Sequence, residues 1–584
     1  MVEPGPEPSR NSPSPPRAGR AWLLVLAMTL AALAVRLHSI GFALPYFQES
    51  DPHIFEQIDL LRHSDLTPEQ EERASIYPHL LARCVLLFDD PLAPPADPRS
   101  MTLEQHLAHA GGLHVLVRSI VAVVSVLLVP ATWLIARRFF DTRWALFATA
   151  LSATSLLSLQ FGQMARPHAF AAPLAVLAVA AAVRLRQRPN PGSYLLAGLA
   201  AGLALAALQS GLAVLFPLLA AFLLRDRPER RWLEPRLLAT LALIAVFVRV
   251  FWPFAFVGGS GPDAARIEDG TIHLSAQTMS FSEFTGAGFR TVWMTAWYYE
   301  TVAFLLGAVG VLVWCVRLAR GRRPAGGGRD LVVVLAYVVP YLLVIGLHER
   351  AQQRFVIQLV PFLACAAAYG LQSLAGRFAR PAIALALVVP IVATGRYAWL
   401  RVQGHTLGQA ASWIVQHVDR EHERIGIHLT YDLPLARRPE NLFLPDGEWR
   451  KSIFTPWQFH QVTVMGPDWP GERWFLHSLY VPAEIDPAAV QADPEAYLRG
   501  LDLDYVLLPG EHGASFHPML QAVRAAARHM GTLVFQAPRG ERMRVEEKIE
   551  GLDTPHYTAF VLTAPAVGPA IEIYHLPRAT EAGR

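Results

Sequence analysis

Leu113-His-Val-Leu-Val-Arg118-Ser-Ile-Val-Ala-Val-Val-Ser-Val-Leu-Leu-Val-Pro130-Ala-Thr-Trp-Leu-Ile-Ala136 is almost wholly apolar, and Arg137-Arg138 follows at once. Crossing the roughly 30 Å hydrocarbon core of a bilayer takes about 20 apolar residues of helix. This stretch meets that need and then stops on paired cations, as a membrane helix does at its cytoplasmic end. Working outward, similar runs occur at 21–41, 144–162, 168–184, 193–208, 211–224, 237–256, 294–316, 331–347, 355–373 and 381–399. The two that meet at Gln209-Ser210-Gly211 are short, which predicts a tight hairpin.

Composition agrees with a membrane protein. Of 584 residues, 53% are hydrophobic and only 17% charged, whereas a soluble chain carries roughly 25% charged residues. A net charge of +3 gives no general polybasic character, so nucleic acid is not an expected partner. Cys84, Cys315 and Cys365 cannot make a disulfide framework. A stapled secreted domain, a disordered chain and a cytosolic enzyme are thereby excluded. Arg17 and Arg20 before an apolar stretch also suit a signal peptide. Because many spans follow and the stretch runs on to Ala43, it reads as the first span instead.

Arginines collect at every second loop: Arg10, Arg17 and Arg20, then Arg137-Arg138-Arg143, Arg184-Arg186-Arg188, Arg225 to Arg231, Arg317 to Arg323, and Arg377-Arg380. By the positive-inside bias these loops face the cytoplasm. Loops 42–112, 163–168, 257–293 and 348–354 then face outward. The expectation is a polytopic α-helical membrane protein with about eleven transmembrane helices. It comprises a disordered cytoplasmic tail 1–20, a transmembrane domain 21–400 and a C-terminal extracytoplasmic α/β domain 401–584. In that last region, strand-like runs at Arg424, Asp504, Gly531 and Ile571 alternate with helical patterns at 407–419 and 515–530.

Polar groups at the outer ends of spans are informative, because charge near hydrocarbon is costly. Glu49, Asp51 and His53 stand where the first outer loop begins. An acid there suits a general base; Asp51-Pro52 equally suits a helix start. On the same side lie Arg118, Arg166 with His168, Arg249 near the outer end of its span, and Arg354. Guanidinium forks bind phosphate oxygens bidentately and keep their charge. Several converging on one cavity suit a phosphate ester, while the bland alternative is snorkelling at the interface. Tyr77, Glu300 and His348 are further candidates to line a cavity or meet an acceptor. His106 and His109 with Glu104 and His114 offer only a weak metal-ligand pattern. Walker, dinucleotide-fingerprint and nucleophile-elbow motifs are absent from the sequence.

Leu44-Pro-Tyr with Asp51, His63-Ser-Asp-Leu-Thr-Pro68, Tyr77-Pro78, Arg118-Ser119 with Ala136-Arg-Arg-Phe-Phe140, Ala165-Arg-Pro-His168, and Gln353-Arg354-Phe355 with Pro361-Phe362 form a familiar series. Over roughly residues 20–400 the chain resembles the bacterial GT-C membrane glycosyltransferases. These are the protein O-mannosyltransferases and aminoarabinose transferases that use phospholipid-linked sugars. Two positions depart from the family: Pro52 replaces the second acid of an Asp-Glu pair, and Gln209-Ser210 replaces a Thr-Lys turn.

The resemblance implies an inverting transferase in the bacterial cytoplasmic membrane, working at its outer face through loop 42–112. The donor is a polyprenyl-phosphate sugar and the acceptor a protein or glycolipid hydroxyl. Asp51, with Glu49 and His53 nearby, is the implied base, and Arg354, Arg118 and Arg166 steady the leaving phosphate. No obligatory cofactor or metal is implied, though the chemistry tolerates a divalent ion. The competing readings are a non-catalytic GT-C-like scaffold and a transporter of lipid-linked substrates. A transporter gathers its polar residues at the bilayer midplane, whereas here they gather at outer ends.

Overall fold

The architecture comes from a computed structural model, which describes residues 16–42, 44, 53–62, 67, 77–88, 103–225, 234–253, 267–268, 271–274, 277–321, 328–427, 433–445, 447–450, 457–458, 461–467, 472–479, 485–510, 518–537, 557–568 and 570–577. Glu49 and Asp51 lie outside the described residues, as do the side chains of Glu104 and His106.

The chain opens with α1 (Pro16–His38), the short α2 (His53–Arg62) and α3 (Leu80–Leu86), then α4 (Leu103–Ser125) and α5 (Leu128–Ala136). Next come α6 (Thr142–Ala153), α7 (Leu156–Gly162), α8 (Pro167–Gln187) and α9 (Pro191–Ala207). A 3-10 turn, Gln209–Val214, leads into α10 (Leu215–Leu223), α11 (Pro235–Phe251), α12 (Gly288–Tyr299) and α13 (Thr301–Ala319). The helical part ends with α14 (Gly328–Leu347), α15 (Gln353–Val356), α16 (Val360–Ala375) and α17 (Ala379–Val402). Local chemistry explains several starts. Asp141 accepts from the Trp144 amide at α6, and Asn190 accepts from the Ser193 amide at α9, just before Pro191.

Each apolar run read from the sequence carries helix among the described residues. Among the described residues six helical segments are long and apolar enough to cross a bilayer, or seven if α6 and α7 form one span bent by 46°. The expected runs at 193–208 and 211–224 are shorter helices, and those at 355–373 and 381–399 lie within one long segment, Gln353–Val402. Interruptions at Ser155, Gln209 and Glu300 cut the elements short. A membrane interior tolerates such breaks only where the freed backbone groups find partners. Here Glu300 accepts from the Ser155 hydroxyl at 2.5 Å and from the Leu157 amide at 3.2 Å, so the α12–α13 break satisfies the α6–α7 break.

Alanine-rich α8 is the centre of the bundle. Its small side chains pack against α4, α5, α9, α10 and α14, and nearly its whole length is buried. Arg186 near its end pairs with Asp330 of α14. The tightest pair is α13 with α16. A Cβ added at Gly310 would lie 2.1 Å from the Ala366 carbonyl, and one at Gly370 would lie 2.1 Å from the Leu306 carbonyl. The two backbones touch there through glycine alone.

Beyond α17, α18 (Thr406–His417) precedes a five-stranded sheet in the order β5-β4-β6-β8-β7. Its strands are β4 (Ile425–Ile427), β5 (Leu476–Ser478), β6 (Tyr505–Pro509), β7 (Thr532–Ala537) and β8 (Ile571–His575). A separate antiparallel meander, β1 (Ile267–Glu268), β2 (Thr271–Leu274) and β3 (Gln277–Ser280), lies between α11 and α12. In the five-stranded sheet β4 runs parallel to β5 and β6, and β8 antiparallel to β6 and β7. Helix α18 covers one face through Leu407, Ala410 and Ile414, while Pro518–Met530 covers the other through Met519, Leu520 and Val523. Tyr505 and Leu507 point to the first helix and Val506 and Leu508 to the second, the alternation expected of a strand buried on both faces. A last helix, Tyr557–Thr563, leaves this layer and joins the core of the membrane bundle through Tyr557 and Val561.

Because no side chain fits between α13 and α16, Gly310→Val should prise the pair apart and cost on the order of 1–3 kcal/mol. Gly395→Ala, where a Cβ would meet nothing within 4 Å, is the control. Thermal unfolding of both variants in detergent checks this: equal midpoints would show that the contact is loose.

Candidate active site

Pro167 fixes the first turn of α8, leaving Arg166 extended just ahead of it and His168 just inside. Both side chains are buried, at 1% and 4% exposure. Four rings line up from there. His168 packs on Phe355 of α15 (centroids 5.3 Å) and edge-on to Tyr77 (6.2 Å), and Tyr77 in turn meets the ring of His53 edge-on at 6.2 Å. Gln57 of α2 donates to the Tyr77 carbonyl at 2.7 Å, which fastens α2 to the segment before α3. Helix α2 begins at His53, directly after the Asp51-Pro52 pair.

Arg354 and Arg166 both lie within electrostatic range of the His168 ring. Among the described residues His168 Nδ1 and Gln353 Nε2 are buried without a hydrogen-bond partner. Two cations beside two such polar atoms favour an anionic, hydrogen-bonding ligand. Among the described residues no three His, Cys, Asp or Glu side chains converge on a metal position. His114 instead stacks on Phe55 at 4.0 Å.

Other expected site residues take different places. Arg118 is buried, and its Nη1 donates to the carbonyls of Ile40 (3.0 Å) and Phe42 (2.9 Å), so it holds the exit of α1. Arg249, expected among the converging arginines, is exposed. Helix α11 buries Thr240 and Ile244, and a residue nine positions after Thr240 faces the opposite way on a 3.6-residue turn. His348 faces Glu283 at 3.3 Å and meets Phe284 edge-on, and Arg350 shares the same carboxylate at 2.7 Å. Glu300 lines a cleft with Leu151, Thr154, Tyr299, Thr301 and Thr558, its carboxylate held by α7 as described above.

The sequence reading missed a second buried network. Gln163 donates to the Arg36 carbonyl (2.8 Å) and the Ser39 hydroxyl (2.6 Å), and its own carbonyl accepts from Arg401 at 3.0 Å. Arg401 also donates to Tyr397 Oη at 2.7 Å and lies 4.3 Å over the Phe42 ring. Gln163 stood in the motif before His168; nothing in a linear pattern pairs it with a residue at position 401. Phe42 also meets the ring of His405 (centroids 5.9 Å), which caps α18 by accepting from the Leu407 amide at 3.2 Å. Burial, aided by the charge of Arg401, pushes the His405 pKa down to about 3.

Residues 101–254 match the family model described as dolichyl-phosphate-mannose-protein mannosyltransferase. The match covers about a quarter of the chain and shows what that segment is similar to. The matched segment contains Arg118, Gln163, Arg166 and His168, whereas Tyr77, Arg354 and Arg401 come from outside it. Several solved structures are similar in outline. The Archaeoglobus fulgidus oligosaccharyltransferase, in complex with Zn and sulfate, aligns over 88% of this chain and 72% of its own, with 14% identity and a TM-score of 0.47. ArnT from Cupriavidus metallidurans, bound to undecaprenyl phosphate, aligns over 70% and 83%, with 15% identity and a TM-score of 0.39. The mycobacterial arabinofuranosyltransferase AftD aligns over 95% and 40%, with 16% identity and a TM-score of 0.41. At such scores no residue role passes from them to this chain. No curated protein matches the chain in sequence.

Gln163→Ala would leave Arg401 and the Ser39 hydroxyl short of a buried partner, at a cost of about 1–3 kcal/mol. The measurement is the unfolding midpoint in detergent, and a loss no larger than that of an exposed substitution would refute the clamp. His405 gives a pH signature. With its folded pKa depressed, the unfolded chain takes the proton first, so stability is full above about pH 6.5 and falls as pH drops toward about 3. His405→Asn keeps a capping acceptor without titrating, so its midpoint should fall less steeply than wild type between about pH 6 and 4; parallel curves would contradict this account.

Proposed function

We propose that the chain is an inverting glycosyltransferase that moves a sugar from a polyprenyl-phosphate donor to an acceptor hydroxyl at the outer face of a bacterial cytoplasmic membrane. The N-terminus lies in the cytoplasm and the sheet-bearing region outside. One observation carries the reading. Arg166 and His168, in the segment that matches the family model, are buried, and the Arg354-Phe355 pair from far along the chain meets the His168 ring through Phe355. The family description names a polyprenyl-phosphate sugar as donor.

The polyprenyl chain would lie in the bilayer, where each buried methylene contributes about 0.8 kcal/mol, leaving polar contacts for the reacting end. Asp51 takes the proton of the acceptor hydroxyl as that oxygen forms its bond to the anomeric carbon. The bond from this carbon to the donor phosphate oxygen breaks with inversion, and the released polyprenyl phosphate carries the negative charge. Arg354 and Arg166, with the polar atoms of His168 and Gln353, stabilise that charge as it develops. His53, at the head of α2 and 3.3 Å from Glu56, orients the acceptor beside Asp51, with Glu49 as the neighbouring acid. Arg118 contributes by holding the root of the loop that bears Asp51. The acceptor is a protein or glycolipid hydroxyl.

Asp51→Asn should lower transfer about 10²- to 10⁴-fold, the usual weight of a general base. Mass spectrometry of envelope glycans and glycoproteins from cells carrying Asp51→Asn or wild type provides the test. Unchanged glycans in the variant would remove Asp51 from the mechanism.

A further inference from the structure

The C-terminal helix Tyr557–Thr563, labelled α19 here, returns from the sheet-bearing region to the membrane bundle and docks where α12 ends. Thr558 Oγ1 donates to the carbonyls of Tyr298 (2.8 Å) and Tyr299 (3.1 Å). These lie in the last turn of α12, where carbonyls have no intrahelical partner. The Tyr557 ring stacks on the Tyr299 ring with centroids 4.4 Å apart and planes 25° apart. Tyr299 is buried, and its hydroxyl donates to Gln353 Oε1 at 2.9 Å. Gln353 opens α15, whose next two residues are Arg354 and the Phe355 that packs on His168. Arg396 of α17 donates to the Ala564 carbonyl at 2.8 Å and so holds the other end of α19.

These contacts form one series from the C-terminal region to Gln353, the residue next to Arg354. Helix α15 is the first turn of the long helical segment Gln353–Val402, so contacts made on that turn bear on where Arg354 stands. The Tyr299 hydroxyl also holds the Gln353 carboxamide in one orientation, which directs Nε2. We infer that Thr558 and Tyr299 are positioning residues, through which the C-terminal helix sets Arg354 and Gln353 for the donor phosphate. This rests on the reading of Arg354 as a phosphate ligand.

The test uses the full chain in lipid nanodiscs and two probes, a long polyprenyl phosphate and the matching polyprenol, which lacks only the phosphate. Tyr299→Phe and Thr558→Val each remove one hydroxyl with little change of shape. Each should weaken polyprenyl phosphate binding about threefold to tenfold, the weight of a single hydrogen bond, and leave polyprenol binding unchanged. Thr558→Ser keeps the hydroxyl and should bind both probes as wild type does. Arg354→Ala reports on the site itself and should lose at least about tenfold for the phosphate alone. If Arg354→Ala binds both probes normally, the phosphate-site reading fails and the relay with it. If Arg354→Ala is selectively impaired while Tyr299→Phe and Thr558→Val are not, the relay is overturned and the site reading stands. Equal loss of both probes in the two hydroxyl variants also overturns it, since the contacts then serve packing alone.

Discussion

Backbone carbonyls at the end of a membrane helix have no intrahelical donor, and hydrocarbon supplies none. At the end of α1 this need is met from three distant places. Arg118 of α4 takes the carbonyls of Ile40 and Phe42, Gln163 takes that of Arg36, and Arg401 of α17 joins through Gln163 and the Phe42 ring. The chain just after α1 is therefore fixed to the bundle through Ile40 and Phe42.

A second buried junction works by the same rule. The break at Glu300 and the break at Ser155 meet, each supplying what the other lacks. Together with Thr558 on the adjacent carbonyls, these bonds make this part of the bundle a connected polar network inside an apolar shell. Such a network is stable only when its members are satisfied. It also explains why the region read from the sequence as a separate outer domain sends one helix back into the membrane core: the end of α12 requires a donor there.

Arginine has three distinct uses in this chain. At Arg118 and Arg401 it is a structural donor to backbone and amide. At Arg186 it is half of a buried pair with Asp330. At Arg166 and Arg354 it stands beside a histidine whose Nδ1 has no partner among the described residues. Residue type and approximate depth do not separate these uses, since Arg118 and Arg166 look equally suited to phosphate in the sequence. Orientation separates them, and it is set by which carbonyls happen to be near.

The apolar runs and their arginine-rich ends were legible in the sequence, because a bilayer imposes length and composition locally, residue by residue. So were the strands at 425–427 and 505–509, whose short apolar runs are also local. The motif pieces around Tyr77, His168 and Arg354 could be picked out for the same reason. Only the tertiary structure decided that α6–α7 and α12–α13 are broken, that Arg249 faces outward, that His348 belongs with Glu283, and that Gln163 and Arg401 form one clamp. Each of these depends on a hydrogen bond or packing contact between residues far apart along the chain. A linear pattern carries no record of such a contact, because the need it satisfies arises only when the helices are side by side.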